Sequence, residues 1–238
     1  MTADLPALRS RLGESTALWA REVEVEDGRW RAFSGAFSPR YNLALCHGAG
    51  VLGQTLEEIA AAGRPAIVMV TGAAREEMPG VEIDDWVPLA EMPFMARPSA
   101  PADSAGARRL AGAEIADARA LIADVFGLHD RLALVALPAD IEQRAGQAVW
   151  GTFDADRRLA SCVISVGVGD HVAIWSLATA EDRRRQGHAT RVMLAALAQA
   201  AGPSLLYAPE SAEAFYRSLG YEVLERWQLW TRRRWRGA

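Results

Sequence analysis

The sequence predicts an α+β (α/β) fold in which helices flank a sheet, built in tandem from two similar halves. Three observations predict it. Segments with apolar residues at helical spacing alternate with short apolar runs of strand character. Residues 148–179 read as three consecutive antiparallel strands, with turns at Asp154-Ala155-Asp156 and Gly167-Val168-Gly169-Asp170. Finally, residues 56–70 align without a gap onto residues 194–208, at an offset of 138.

Taken in order, Leu5 to Val23 has a helical pattern with Leu8, Leu12 and Leu18 near one face. A strand begins at Trp30 after the Asp27-Gly28 turn, and Tyr41–Cys46 reads as another. Leu52 to Ala62 is helical and ends at Gly63, a suitable C-cap. Residues 66–70 (AIVMV) form a buried strand, and residues 81–97 one or two strands with Pro88 and Pro93 suited to an edge. Residues 95–109, rich in Pro, Ala and Ser, read as a linker. The expected domains are therefore 1–105 and 106–238. In the second, Glu114–Phe126 is a helix stopped by Gly127, and the three strands follow. Helix 190–201, strand 205–208, helix 212–219 and a strand over 221–231 complete it.

The repeat rests on Leu56, Ala60, Ala62 and Pro65 matching Leu194, Ala198, Ala200 and Pro203, and on Gly80–Ile83 paralleling Gly220–Val223.

Composition excludes several classes. The 238 residues are 50% hydrophobic and 24% charged, which rules out wholesale disorder. All 26 basic residues are arginine, against 30 acids, so a strongly basic nucleic-acid binder is disfavoured. Two cysteines make no disulfide framework and have no metal-ligand spacing. The apolar stretches fall far short of the ~18–20 residues of a membrane span. The N-terminal residues lack the apolar core of a secretory signal, so a cytoplasmic protein is expected. Residues 1–105 carry 9 arginines and 15 acids, and residues 106–238 carry 17 arginines and 15 acids. An anionic ligand is therefore expected in the second half.

The strongest chemical signal is Arg184-Arg185-Gln186-Gly187-His188-Ala189, between a strand and a helix. Such a junction exposes backbone N–H groups at a helix N-terminus, and these suit a phosphate. Gly187 lets the backbone approach an anion, Ala189 keeps a second position small, and Arg183 to Arg185 add positive charge. There is no Gly-x-Gly-x-x-Gly, and no lysine for a Walker-type site.

This Arg-x-x-Gly-x-Ala pattern resembles the acetyl-CoA pyrophosphate loop of the GNAT superfamily of N-acetyltransferases. Ala212-x-x-Phe215-Tyr216-x-x-x-Gly220-Tyr221 resembles that family's second signature, and the element order over 106–235 matches its mixed, mostly antiparallel sheet. The resemblance implies that Leu177, Ala178 and Thr179 run along the pantetheine, where a strand bulge frees backbone groups for the cofactor amides. It implies that Arg184, Arg185, Gln186, Gly187, His188, Ala189 and Thr190 wrap the pyrophosphate, and that Tyr216 protonates the leaving thiolate. The family often has Asn where this chain has Pro209. The implied activity is acetyl transfer from acetyl-CoA to a primary amine, small molecule or peptide, by direct attack in a ternary complex. The alternative is a non-catalytic acyl-CoA-binding sensor.

Other residues stay open at this level. The general base is a choice among Glu210, His171 and Asp170, or a water chain. His188 is expected to act through its backbone with an exposed ring. Trp150 and Trp175 fit either a core or a substrate wall. Cys46 and Cys162 read as buried structural thiols. The basic C-terminus, TRRRWRGA, reads as a frayed end, with RNA contact as the alternative. In the first half, the positions matching 184–189 are Cys46–Val51, without Arg or Gln, and the positions matching Phe215-Tyr216 hold no tyrosine. That half is expected to be a degenerate copy.

Overall fold

A computed structural model describes residues 4–78, 85–100, 106–198, 200 and 202–236. In chain order the elements are α1 (Leu5–Ser15), β1 (Glu22–Glu26), β2 (Arg29–Phe33), β3 (Asn42–Cys46), α2 (Leu52–Ala62), β4 (Ile67–Val70), α3 (Gly72–Glu77) and β5 (Trp86–Arg97). There follow β6 (Arg108–Arg109), α4 (Glu114–Phe126), α5 (Asp130–Ala136), β7 (Gln147–Phe153), β8 (Leu159–Val168) and β9 (His171–Thr179). The last are α6 (His188–Ala198), β10 (Ser204–Tyr207), α7 (Glu213–Ser218) and β11 (Glu222–Arg232).

The chain divides into two compact units, Met1–Met95 with Tyr207–Ala238, and Ala96–Leu206. This differs from the division at 105/106 expected from the linker. The reason is strand pairing: β11 lies antiparallel to β4, with Gln228 opposite Val70 and Thr231 opposite Ile67. The last residues therefore complete the sheet of the first.

In the first unit the strand order is β1-β2-β3-β4-β11-β5. Strands β1, β2 and β3 are antiparallel neighbours, and β3 is parallel to β4 through the α2 crossover. The apolar face of α2 (Leu52, Leu56, Ile59) packs on Ala44, Cys46, Val68 and Val70, because alternate strand residues share a face. Trp235 is buried in the same cluster, so the C-terminal segment is docked rather than frayed. Phe94 stacks on Trp227 with centroids 4.7 Å apart.

In the second unit the order is β10-β9-β8-β7-β6. Strands β7, β8 and β9 are the expected antiparallel meander, and β9 is parallel to β10 through the α6 crossover. Cys162 faces α4, its sulfur 3.8 Å from the Ala118 carbonyl.

Several boundaries move. The first helix ends at Ser15, and Glu22–Glu26 is a strand. The helix expected over 190–201 is α6 at His188–Ala198, and the one over 212–219 is α7 at Glu213–Ser218. Residues 81–84, and with them the Gly80–Ile83 half of the repeat, lie outside the described residues, as do linker residues 101–105. Among the described residues, no helix is long and apolar enough to cross a membrane.

Candidate functional site

The site is built where β9 parts from β10 while still paired with β8. At its start β9 pairs with β10, Val172 opposite Ser204 and Ala173 opposite Leu205. Beyond Ala173, among the described residues, β9 has no β10 partner, so the two parallel strands part. On its other side β9 carries a bulge. Ile164 faces Trp175 and Cys162 faces Ala178, leaving Ser176 and Leu177 opposite the single residue Val163. Ser176 takes a left-handed φ of 51°, uncommon for a non-glycine residue. Leu177 is therefore in the bulge and Ala178 and Thr179 just past it, on the part of the strand that has left its parallel neighbour.

A short turn over Glu181–Arg183 then leads into α6. Among the described residues the backbone N–H groups from Arg185 to Thr190 have no protein acceptor; the first amide back in the helical ladder is that of Arg191, bonded to Gly187 O at 3.1 Å. Arg185 (φ 61°) and Gly187 (φ 79°) are both left-handed, and a β-carbon on Gly187 would stand 3.3 Å from Arg191 Nη1. Alternating backbone handedness and unpaired donors at the start of an 11-residue helix are an arrangement that suits an anion. Arg184 and Arg185 are exposed and, among the described residues, have no ion-pair partner. Arg183, expected to add its charge to the loop, is neutralised instead by Asp154 (3.0 Å) and Asp182 (3.1 Å). Gln186 Nε2 donates to Asp182 O at 3.0 Å.

His188 corrects its expectation. Its ring is buried, not exposed. Nδ1 lies 3.2 Å from Thr152 Oγ1 on β7 and 3.0 Å from Arg191 Nη2. Burial, and then the charge of Arg191, lower its pKa below the ordinary histidine value. Arg191 was not singled out from sequence. It lies on α6 just past the Arg-x-x-Gly-x-Ala pattern, and its spacing of three from His188 is the one available signal.

Tyr216 belongs to the first unit, on α7. It is buried against Phe215 (5.2 Å) and Tyr221 (5.7 Å), both edge to face, and burial pushes its phenol up to about 12. Glu210 makes no capping bond; Glu213 holds the helix region instead, pairing with Arg217 and Arg226. His171 Nδ1 is 2.6 Å from Asp170. Trp150 lines a cleft of about 630 Å³ with Ser165, Arg144 and His171, and its indole N–H donates to Ser165 at 2.9 Å. Cys46 and Cys162 are fully buried free thiols, raised by burial to about 11 and about 12. In the first half the corresponding strands do not part: β3 and β4 pair through to Cys46 and Val70. The Gly50 N–H donates to the Glu77 carboxylate, so a side chain of the protein already occupies that helix start.

Residues 145–223, from the lead-in to β7 to the start of β11, match the family model of the acetyltransferase (GNAT) domain. No curated protein matches the chain in sequence. Among solved structures, it is similar to a GCN5-related N-acetyltransferase from Kribbella flavida. There the TM-score is 0.71 at 17% identity, over 98% of this chain and 97% of that one. It is similar to a GCN5-related N-acetyltransferase from Sphaerobacter thermophilus, with a TM-score of 0.62 at 12% identity, over 86% and 76%. It is also similar to a GCN5-related N-acetyltransferase-like protein from Streptococcus suis, with a TM-score of 0.55 at 14% identity, over 95% and 100%. These likenesses show the fold.

Proposed function

We propose that this chain, whose residues 145–223 match the acetyltransferase (GNAT) domain, transfers acetyl from acetyl-CoA to a primary amine by direct attack in a ternary complex. The observation that carries the reading is the run of unpaired N–H groups from Arg185 to Thr190 beside a strand that has left its parallel neighbour. A diphosphate fits the cradle, and the extended amides of a pantetheine arm fit an unpaired strand edge. When bound, acetyl-CoA supplies the activated acyl group.

Arg184 and Arg185 bring charge to the phosphates, and the backbone from Gln186 to Thr190 brings hydrogen bonds. The backbone of Leu177, Ala178 and Thr179 orients the arm, which makes their side-chain types secondary. Burial keeps Tyr216 protonated at working pH, and the family resemblance carries over to it the role in which it would protonate the departing sulfur. The acceptor is an amine, small or peptidic; the N–H proton it loses on attack passes to water, and water returns a proton to the Tyr216 oxygen after the thiol has left. With acetyl-CoA as donor, the proposed compartment is the cytoplasm.

We assign the first half as a degenerate copy. Its β3-α2-β4 crossover parallels β9-α6-β10, with helices of 11 residues in both, while Glu77 and the continuous β3–β4 pairing remove its anion cradle.

The test is calorimetry with acetyl-CoA, followed by thiol release over a panel of amines. Binding with turnover supports the enzyme. Binding without turnover assigns the chain to the acyl-CoA sensors, and no binding overturns the reading of the loop.

A further inference from the structure

The start of α6 holds a buried contact that the mechanism above does not use. Thr152 has no exposure, and its hydroxyl lies 3.2 Å from His188 Nδ1. Arg191 Nη2 lies 3.0 Å from the same nitrogen. An arginine has donors and no acceptor, so Nδ1 must be unprotonated and the ring proton sits on Nε2. A ring protonated at Nδ1 could still donate to Thr152 Oγ1, but it would have to release Arg191.

The guanidinium so held lies along the loop. Its Nη1 is 3.5 Å from Gln186 O and 3.3 Å from where a Gly187 β-carbon would be. Its stem crosses Gly106, where a β-carbon would stand 3.1 Å from Arg191 Cδ. Among the described residues no carboxylate pairs with Arg191, whereas Arg183, in the turn before the helix, is paired with Asp154 and Asp182. The charged groups acting on the His188 ring are Arg191 and Arg183, which oppose its protonation, and Asp154, which favours it; burial adds to the first two.

We propose that neutral His188 is a positioning residue that holds the Arg191 guanidinium against the Gln186–Gly187 turn, so that Arg191 serves as a phosphate ligand of the loop. The proposal rests on the acetyl-CoA reading of that loop and deepens it. An arginine side chain loses rotamer freedom when it binds a ligand, and a tether made before binding removes part of that loss from the cost of association.

The test is a double-mutant cycle in the full chain, read by calorimetry with acetyl-CoA, together with ¹⁵N spectra of the ligand-free protein. A charge-assisted phosphate contact predicts that Arg191→Ala weakens binding roughly 10–100-fold. His188→Leu should weaken it several-fold, and His188→Asn, whose Oδ1 replaces the Nδ1 acceptor, should restore most of the loss. The double variant His188→Leu/Arg191→Ala should bind no more weakly than Arg191→Ala alone. The spectra should show an unprotonated Nδ1 at pH 7. Additive effects, an Arg191→Ala variant that binds like wild type, or a protonated Nδ1 would each overturn the proposal while leaving the acetyl-CoA reading in place. Wild-type protein that binds no acetyl-CoA would overturn both, and is recognised by the unchanged spectrum.

Discussion

Burial of the Tyr216 phenol fixes how that residue can act. With its pKa at about 12, it carries its proton throughout the working range and is never a base. Tyr216→Phe keeps the ring packing against Phe215 and Tyr221 and removes only the proton. It is therefore expected to lower kcat roughly 10–1000-fold, with acetyl-CoA affinity nearly unchanged. Steady-state kinetics beside calorimetry checks this, and unchanged turnover removes Tyr216 from the mechanism. Burial acts in the same direction on the cysteines. Fully buried, with thiol pKa values of about 11 and 12, neither is a nucleophile near neutral pH.

Among the elements, the decisive one is the bulged strand with the loop that follows it. Gly187 is left-handed and close to Arg191, so Gly187→Val adds strain of about 1–2 kcal/mol and pushes the guanidinium away. Acetyl-CoA affinity is expected to fall at least about tenfold while the melting temperature falls by only a few degrees; calorimetry and thermal melts check both. Sequence reading located some of these elements well. Helices α2 and α4 were legible to the residue because each ends at a glycine in the left-handed cap, Gly63 and Gly127. The meander was legible from its turns and alternation. Strand β1 was not, because EVEVE is largely exposed and carries no large apolar residue to mark a face. Neither Gly nor Asn marks the Ser176 bulge, so only the family resemblance implied it. The inward turn of the His188 ring depends on Thr152, 36 residues away, which no local pattern reports.

At the scale of the molecule, the first unit is tied together by residues from both ends of the chain. Arg9 on α1 grips Glu225 on β11 through Nε (2.8 Å) and Nη2 (2.6 Å). Trp227 Nε1 and Thr71 Oγ1 also donate to that carboxylate, at 2.6 and 2.9 Å. Burial pushes the Glu225 pKa up, but the Arg9 and Trp227 hydrogen bonds, the Arg9 charge and the Thr71 bond outweigh it, and the net shift is downward. A carboxylate lowered by folding stabilises the protein fully above its unfolded pKa of about 4.3, and that contribution is lost as pH falls below it. Glu225→Gln leaves Arg9 buried without its counter-charge and is expected to cost about 3 kcal/mol at pH 7. Thermal melts from pH 7 to 3 should show a shallower acid decline in the variant than in wild type. Such pairings explain why the linker misled the domain boundary: composition marks where a chain is polar, not which distant strand returns to close a sheet.

That returning strand has a consequence for how the protein is made. When β4 leaves the ribosome, its neighbour β11 has not been synthesised; Val70 waits for Gln228. At about 5–20 residues per second the wait is on the order of ten seconds. Throughout it, Val68, Met69 and Val70 present an open, apolar strand edge that any nascent β-segment could occupy. The residues of the intervening unit are all made within that interval, and the first unit stays incomplete until β11 follows. Newly made protein is therefore vulnerable to mispairing at β4 and at β5, the two strands between which β11 inserts, and shielding those edges is the task such a fold sets for a chaperone.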